Sequence, residues 1–266
     1  MSVTVLVIAC AAVLALAIPF SMVGQGGGST YVPVLLMAGM GMHEASTTSL
    51  FMIMLASIAA TLVFGRKKTV DWKLLFSIVP FAILGSFAGG YVAQWVSSLI
   101  LKIIFAAVLG IAAFFMLRPA TEGQRPNFMP QWYCWDRTCG EHQYQISIGL
   151  LVPAAALIGF IAGLIGVGGG LFLLPMLVLL FGCPTRIAIG ISSTYVGITS
   201  LPGFLGHIIG GDPFNVWTAL PLAAAAFIGA SLGPIISLRT SVQKLRVILA
   251  IVLIALAAWI VVKIFI

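Results

Sequence analysis

Eight apolar runs of about 20 residues follow one another along the chain, at 3–22, 45–64, 74–93, 99–117, 146–165, 187–209, 216–237 and 247–266. Each is long enough to cross roughly 30 Å of hydrocarbon as a helix. No water is available there to pair backbone N–H and C=O groups, so a single span of this length must be helical. The charge content agrees: 7% of residues are charged and 61% hydrophobic, against roughly a quarter charged in soluble domains. The fold class expected is therefore an all-α polytopic membrane protein. The first run has no basic residue before it and no small-residue cleavage pattern, so it reads as a helix of the mature protein. The net charge of +7 is read as loops held on the cytoplasmic side. It calls for no nucleic-acid partner, and the partner implied is the lipid bilayer.

Two shorter apolar segments, 29–41 and 170–182, each follow a glycine cluster: "GQGGGSTYVP" at 24–33 and "GVGGGLFLLP" at 166–175. Gly24 and Gly166 are separated by the same distance along the chain as Pro33 and Pro175, and other pairs keep nearly that offset. "ILGSFAGG" (83–90) resembles "FIGASLGP" (227–234), "LKIIFAAVLGI" (101–111) resembles "LRVILAIVLIA" (245–255), and "ASTTSL" (45–50) stands opposite "AIGISS" (188–193). The organisation expected is a first transmembrane repeat at 1–117, a cytoplasmic connecting loop at 118–145 and a second repeat at 146–266. Each repeat would hold five elements, one of them a short helix led by a Gly-rich break.

Five crossings per half would invert the second copy, and the basic residues follow that pattern. The turn "GRKKTVDWK" (65–73) is basic and the next, "QWVSS" (94–98), is uncharged. In the second half the first turn, "GGDPFN" (210–215), has no base and the next, "LRTSVQKLR" (238–246), has three. Lysine and arginine mark the cytoplasmic side. Inverted repeats are common in secondary transporters, with the site at the repeat interface near the midplane. The competing count treats the short segments as re-entrant, leaving four crossings per half and a parallel arrangement.

A broken helix in lipid leaves backbone groups unpaired unless protein, water or solute satisfies them. The start of the short helix then offers free amides and the positive end of a dipole, which suits an anion. Candidate binding residues in the first copy are Gln25, Gly26, Gly27, Gly28, Ser29 and Thr30, with Thr47, Thr48 and Ser49 from the next helix. Those of the second copy are Gly168, Gly169, Gly170, Ser192, Ser193, Thr194 and Tyr195. The bland reading of such glycines is close helix packing, as for Gly85, Gly89, Gly159 and Gly163. A nucleotide phosphate loop is excluded, because no Gly-Lys-Ser/Thr follows and no strand precedes.

The duplicated Gly-x-Gly-Gly-Gly with a proline five residues on, the run Ala45–Leu50 and the basic first turn resemble the sulfite exporter TauE/SafE family of anion transporters. The resemblance covers about 3–117 and 146–266 and leaves the middle loop unmatched. It implies a multi-pass protein of the bacterial inner membrane that moves sulfite, sulfonates or related sulfur-containing or carboxylate anions. The second copy departs from the pattern, with Ile191-Ser192-Ser193 in place of Thr-Ser-Leu.

Ionisable residues within a membrane are functional candidates. His43, Glu44 and Arg186 are candidates for coupling or anion attraction; "HEAST" also reads as a helix start and Arg186 as an interface anchor. His207 lies near a helix end and reads as a packed or interfacial histidine. In the loop, Cys134 and Cys139 form a Cys-x4-Cys pair, compatible with a zinc half-site with His142, a disulfide or idle thiols. A rival function is therefore a membrane thiol oxidoreductase using that pair; another is a non-transporting sensor or partner. No nucleophile with its base and no full ligand set is present in the sequence, so neither an enzyme nor a resident cofactor or metal is expected.

Overall fold

The computed structural model describes residues 2–67, 69–118, 134–139, 142–237 and 242–265. Ten helices are among them: α1 (Val3–Met22), α2 (Gly28–Met37), α3 (Met42–Arg66), α4 (Trp72–Val92), α5 (Ser98–Leu117), α6 (Ile148–Ile165), α7 (Gly170–Pro175), α8 (Thr185–Ile209), α9 (Val216–Ser237) and α10 (Val242–Phe265). Eight are long and apolar enough to cross a membrane, and α2 and α7 are not. A π-helical turn, Met176–Leu180, extends α7. The starts follow local chemistry. Ser2, Asp71 and Ser97 each accept a hydrogen bond from the amide three residues on, capping α1, α4 and α5.

Contacts between backbones fix the direction of each span. Gly190 at the start of α8 faces Thr69 just past the end of α3, and Gly197 faces Ser57 midway. At the opposite end His43 of α3 meets Asp212 just past α8, so α3 and α8 run antiparallel. Gly85 and Gly89 of α4 abut the carbonyls of Ala156 and Phe160 on α6, and the two helices run parallel. Gly229 and Gly233 of α9 abut those of Leu14 and Ile18 on α1, and these also run parallel. Both the glycine pairs and the carbonyl pairs correspond at nearly the offset that separates the glycine clusters. Here the small-residue packing expected of isolated glycines is what occurs: no side chain intervenes, so the backbones approach closely.

The core is a layer of α3 and α8, with α8 the most buried span and α1 the least. α9 lies on α3 and α1 on α9; α4 lies on α8 and α6 on α4; α5 and α10 pair with each other. α2 and α7 are enclosed between these layers, with Tyr31, Leu35, Leu171 and Leu173 essentially inaccessible.

Part of the segment read as a loop is not irregular. β1 (Cys134–Cys139) and β2 (His142–Ser147) form an antiparallel hairpin in which Cys134 faces Ser147 and Cys139 faces His142. Three polar groups of the hairpin and bundle hold it down. The Arg137 guanidinium donates to both carboxylate oxygens of Asp71, through Nε at 3.0 Å and through Nη2, and the Tyr144 hydroxyl donates at 2.7 Å. The same carboxylate accepts the Leu74 amide at 3.1 Å. Burial alone would raise the Asp71 pKa, but the hydrogen bonds from Arg137, Tyr144 and Leu74 and the Arg137 charge more than offset it, so the carboxyl titrates below its ordinary range.

That depressed value sets the sign of a pH effect. Stabilisation by ionised Asp71 is complete above its unfolded pKa of about 3.9 and disappears as pH falls through the folded value. Replacement of Asp71 by Ala removes both the cap and the ion pair and is expected to destabilise by about 1–2 kcal/mol. Asp71→Asn retains a capping oxygen and loses only the pair. Limited proteolysis of the hairpin should accelerate in both variants, with a lower melting temperature mainly in the Ala variant.

Candidate functional site

Both glycine clusters are helix breaks of one backbone pattern. Gly24, Gly26 and Gly27 have φ of 71°, 66° and 80°, and Gly166, Gly168 and Gly169 have 79°, 80° and 82°. These left-handed values are routine for glycine and costly for other residues. Gly27 and Gly169 stand before the first residues of α2 and α7, with no side chain capping either helix. The first amides of such a helix have no intrahelical acceptor.

The breaks meet in the buried centre. Gly28 lies against the Val167 carbonyl, and Gly170 against Gln25 and the Gly24 carbonyl. Gly26 and Gly168 both face Ile53 and Val196, the former beside Ser57 and the latter beside Ser200. Each break is also fastened by the opposite half. Ser192 Oγ donates to the Gly24 carbonyl at 3.0 Å, and Ser49 Oγ to that of Gly166 at 2.7 Å. Ser46 adds a bond to the Ile165 carbonyl. At the far end of α2, Lys263 Nζ reaches the Leu36 carbonyl at 3.0 Å, a cation at the negative pole of that helix.

The candidate residues divide by what their polar atoms do. Thr30, Thr47 and Thr194 bond to the carbonyls of Gly27, His43 and Gly190 on their own turns, and Tyr195 bonds to that of Ala155. Ser49 and Ser192 are the break tethers just described. In contrast Gln25 Oε1, Ser29 Oγ, Thr48 Oγ1 and Ser193 Oγ are buried with no partner among the described residues, as are Tyr31 Oη and Ser57 Oγ, which sequence reasoning did not single out. A buried hydroxyl left unpaired costs free energy, so a cluster of them suits binding of a polar solute. Ser57 and Ser200 share one setting and stand at nearly the offset of the glycine clusters, the signal that could have found Ser57. It also lines a cavity of about 670 Å³ between α3, α4 and α8, together with Thr61, Thr194 and mostly apolar side chains.

Other predicted residues lie apart from this centre. Arg186 is exposed at the start of α8, and Glu44 is half-buried in the first turn of α3. His43 forms a cluster at the end of the bundle where α3 begins. Its Nδ1 is 3.1 Å from Asp212 Oδ1, and His207 Nδ1 is 2.6 Å from Asp212 Oδ2. Asp212 was not singled out by sequence because its turn has no lysine or arginine and reads as a simple loop.

Cys134 and Cys139 occupy opposite ends of one extended strand. Five residue steps separate their Cα atoms by about 16 Å, more than twice the span a disulfide allows. The same separation removes a zinc half-site shared by both, and the described residues hold no group of three or more His, Cys, Asp or Glu placed to bind a metal.

Eight spanning-length helices around two buried, glycine-broken half-helices define the class: a multi-pass α-helical membrane transporter. The chain belongs to the sulfite exporter TauE/SafE family, whose model matches residues 8–260. It is 29% identical over 252 residues to "probable membrane transporter protein YunE" of Bacillus subtilis, covering 88% of this chain and 89% of that one. It is 25% identical over 253 residues to "probable membrane transporter protein MJ0441" of Methanocaldococcus jannaschii, covering 88% and 86%. Identity to "probable membrane transporter protein YfcA" of Escherichia coli K12 is 26% over 233 residues, covering 86% and 80%. No solved structure matches significantly. The relatives are named as transporters and not as enzymes, and this chain is a transporter of the membrane in the same sense.

Proposed function

We propose that the protein is a secondary transporter for a compact oxyanion, sulfite, a sulfonate or a related sulfur-containing or carboxylate anion, moved by alternating access between two inverted halves. One observation carries this reading: two glycine breaks of matched backbone pattern lie back to back in the buried centre, beside six polar atoms with no partner. The anion would take the amides at the start of α2 and the hydroxyls of Ser29, Thr48, Ser57 and Ser193. Partial charge from a helix end suits a site without lysine or arginine. Small solutes with several acceptor oxygens fit such a ring of donors.

The paired contacts support the two-halves reading. Gly24 faces Ile189 as Gly166 faces Ser46, Ser192 fastens one break as Ser49 fastens the other, and α4 on α6 matches α9 on α1. The antiparallel run of α3 and α8 supports inversion. The hairpin, the end of α3 and the starts of α4 and α8 share one end of the bundle with Arg66, Lys67, Lys73, Arg137 and Arg186. By the positive-inside rule that end is cytoplasmic. Exchange would then proceed as α3 and α8 slip, exposing the centre first at the Gly24 end and then at the Gly166 end.

Purified protein in proteoliposomes loaded with unlabelled sulfite is expected to take up labelled sulfite by counterflow, with competition by transported sulfonates or carboxylates. Absence of exchange for every member of that set would sink the proposal.

A further inference from the structure

The two turns that join the third and fourth elements of each half both carry an aspartate whose side chain is largely buried. Asp71 stands in the α3–α4 turn and Asp212 in the α8–α9 turn, at nearly the offset of the glycine clusters. Their partners differ in kind. Asp71 is held by Arg137, which does not lose its proton in proteins. Asp212 is hydrogen-bonded to His207, and His43 Nδ1 lies 3.1 Å from its other carboxylate oxygen without forming a hydrogen bond; histidine is the residue type whose charge changes near neutral pH.

The geometry at Asp212 counts protons. His207 Nε2 is 2.7 Å from the Gly163 carbonyl. A carbonyl only accepts, so Nε2 carries hydrogen. On the other side Nδ1 lies 2.6 Å from Asp212 Oδ2, a contact that requires a proton between them. It is either imidazolium with carboxylate or imidazole with carboxylic acid. In both forms the pair holds one proton more than neutral histidine with ionised aspartate. Loss of that proton leaves two lone pairs facing each other, and the contact must open.

The contact is placed to act on the break. Gly163 is in the last turn of α6, three residues before Gly166. His43 is one turn before Ser46 and Thr47, and Ser46 and Ser49 bond to Ile165 and Gly166. The Asp212 turn is closed by its amide on the His207 carbonyl at 3.0 Å and carries Gly211 at φ 84°. His207 is fully buried, and Asp212 is 8% exposed at its side chain. Titratable groups on the surrounding elements are His43 and Glu44 of α3 and Tyr91 of α4, which packs on Phe87 and Trp95; α6 presents the Gly163 carbonyl. Among the described residues, the two histidines are the groups that reach Asp212.

We infer that His43, Asp212 and His207 form a proton-binding site that latches one mouth of the transporter, and that release and uptake of this proton couple anion movement to the proton gradient. The inference rests on the transport reading for its second half only. Burial raises the Asp212 pKa, but the hydrogen bond and charge of His207 and then the charge of His43 outweigh it, and the net value is lowered. Phe64 stands where the repeat offset puts the counterpart of His207, so the first half has no matching histidine. One mouth carries a histidine–aspartate contact and the other a fixed ion pair.

The chain has three histidines, so ¹⁵N-histidine spectra can be assigned with His142→Gln as background. In nanodiscs, the His207 and His43 signals are expected to respond to pH together, and Asp212→Asn is expected to uncouple the two responses. A His207 signal that no change of pH moves overturns the proton site, whatever the solute. In proteoliposomes, Asp212→Asn should lose sulfite accumulation driven by a pH difference by about tenfold or more while sulfite counterflow persists. Equal loss of both makes the cluster merely structural and overturns the coupling. Failure of wild-type counterflow counts instead against the transport reading, and the spectra then decide the proton site alone.

Discussion

Alanine at Gly166 or Gly24 is expected to damage folding and transport together, and to nearly the same degree. At Gly166 a new Cβ meets the Ser46 backbone and at Gly24 the Ile189 carbonyl, both closer than real carbon contacts allow, and both positions have left-handed φ, 79° and 71°. A left-handed non-glycine residue costs about 1–2 kcal/mol, and forced overpacking adds about 1–3 kcal/mol. The sum is a large share of the stability of most domains. Neither neighbour is a flexible side-chain end, so relaxation requires α3 or α8 to move, and these form the central layer. Thermal denaturation in detergent should show matched drops in melting temperature for the two variants. Gly110 on α5 is the control: it has open space around it, so Gly110→Ala should be neutral or stabilising by up to about 1 kcal/mol. A normal melting temperature and normal counterflow in Gly166→Ala would remove the claim that the breaks are tightly fitted.

Serine substitutions are expected to split into two classes with opposite signatures. Ser29, Ser57 and Ser193 have buried hydroxyls with no partner. Their removal relieves an unsatisfied group, so Ala variants should be as stable as the wild type or slightly more so. If these hydroxyls receive the anion, each contributes a hydrogen bond to a charged group of about 1.5–3 kcal/mol. Apparent sulfite affinity should then fall by about 10–150-fold, since each 1.4 kcal/mol is tenfold. Ser49 and Ser192 behave the other way, because they serve the carbonyls of Gly166 and Gly24. Removing either leaves a buried carbonyl unpaired, and a loss of about 1–3 kcal/mol in stability is expected. Melting temperatures and counterflow affinities measured on the five single variants separate the classes. Full transport by a Ser29, Ser57, Ser193 triple alanine variant would show that the anion binds elsewhere.

The proposed substrate class and the proton latch stand on different parts of the molecule. The breaks lie midway along α3, near Ile53 and Ser57. The latch lies at the end where α3 begins, near His43. Two short links join them, through α6 from Gly163 to Gly166 and through α3 from His43 to Ser46 and Ser49. The proposed latch would act on the centre along these routes.

Much of the fold was legible in the chain itself. Hydrophobic run length gives the spans because a bilayer of fixed thickness demands about 20 helical residues. Thus the run at 3–22 is α1 and that at 216–237 is α9 with the same bounds. The glycine clusters announced the breaks because stacked glycines weaken a helix wherever they fall. What sequence left undecided was which polar atoms are free. Ser49 and Ser29 look equally able to bind an anion, and only the tertiary structure shows one fastened to Gly166 and the other unpaired. The hairpin was likewise hidden, since short polar strands in a loop become regular only when anchored, here by Arg137 and Tyr144 on Asp71. Asp212 shows the same limit: an aspartate in a turn without bases says nothing until folding brings two histidines, one from the first half and one from the preceding helix, to its carboxylate. Local sequence determines spans and breaks because water, lipid and backbone pairing act residue by residue. Tertiary structure decides the chemistry of the site because hydrogen bonds and proton positions depend on atoms brought together from both halves of the chain.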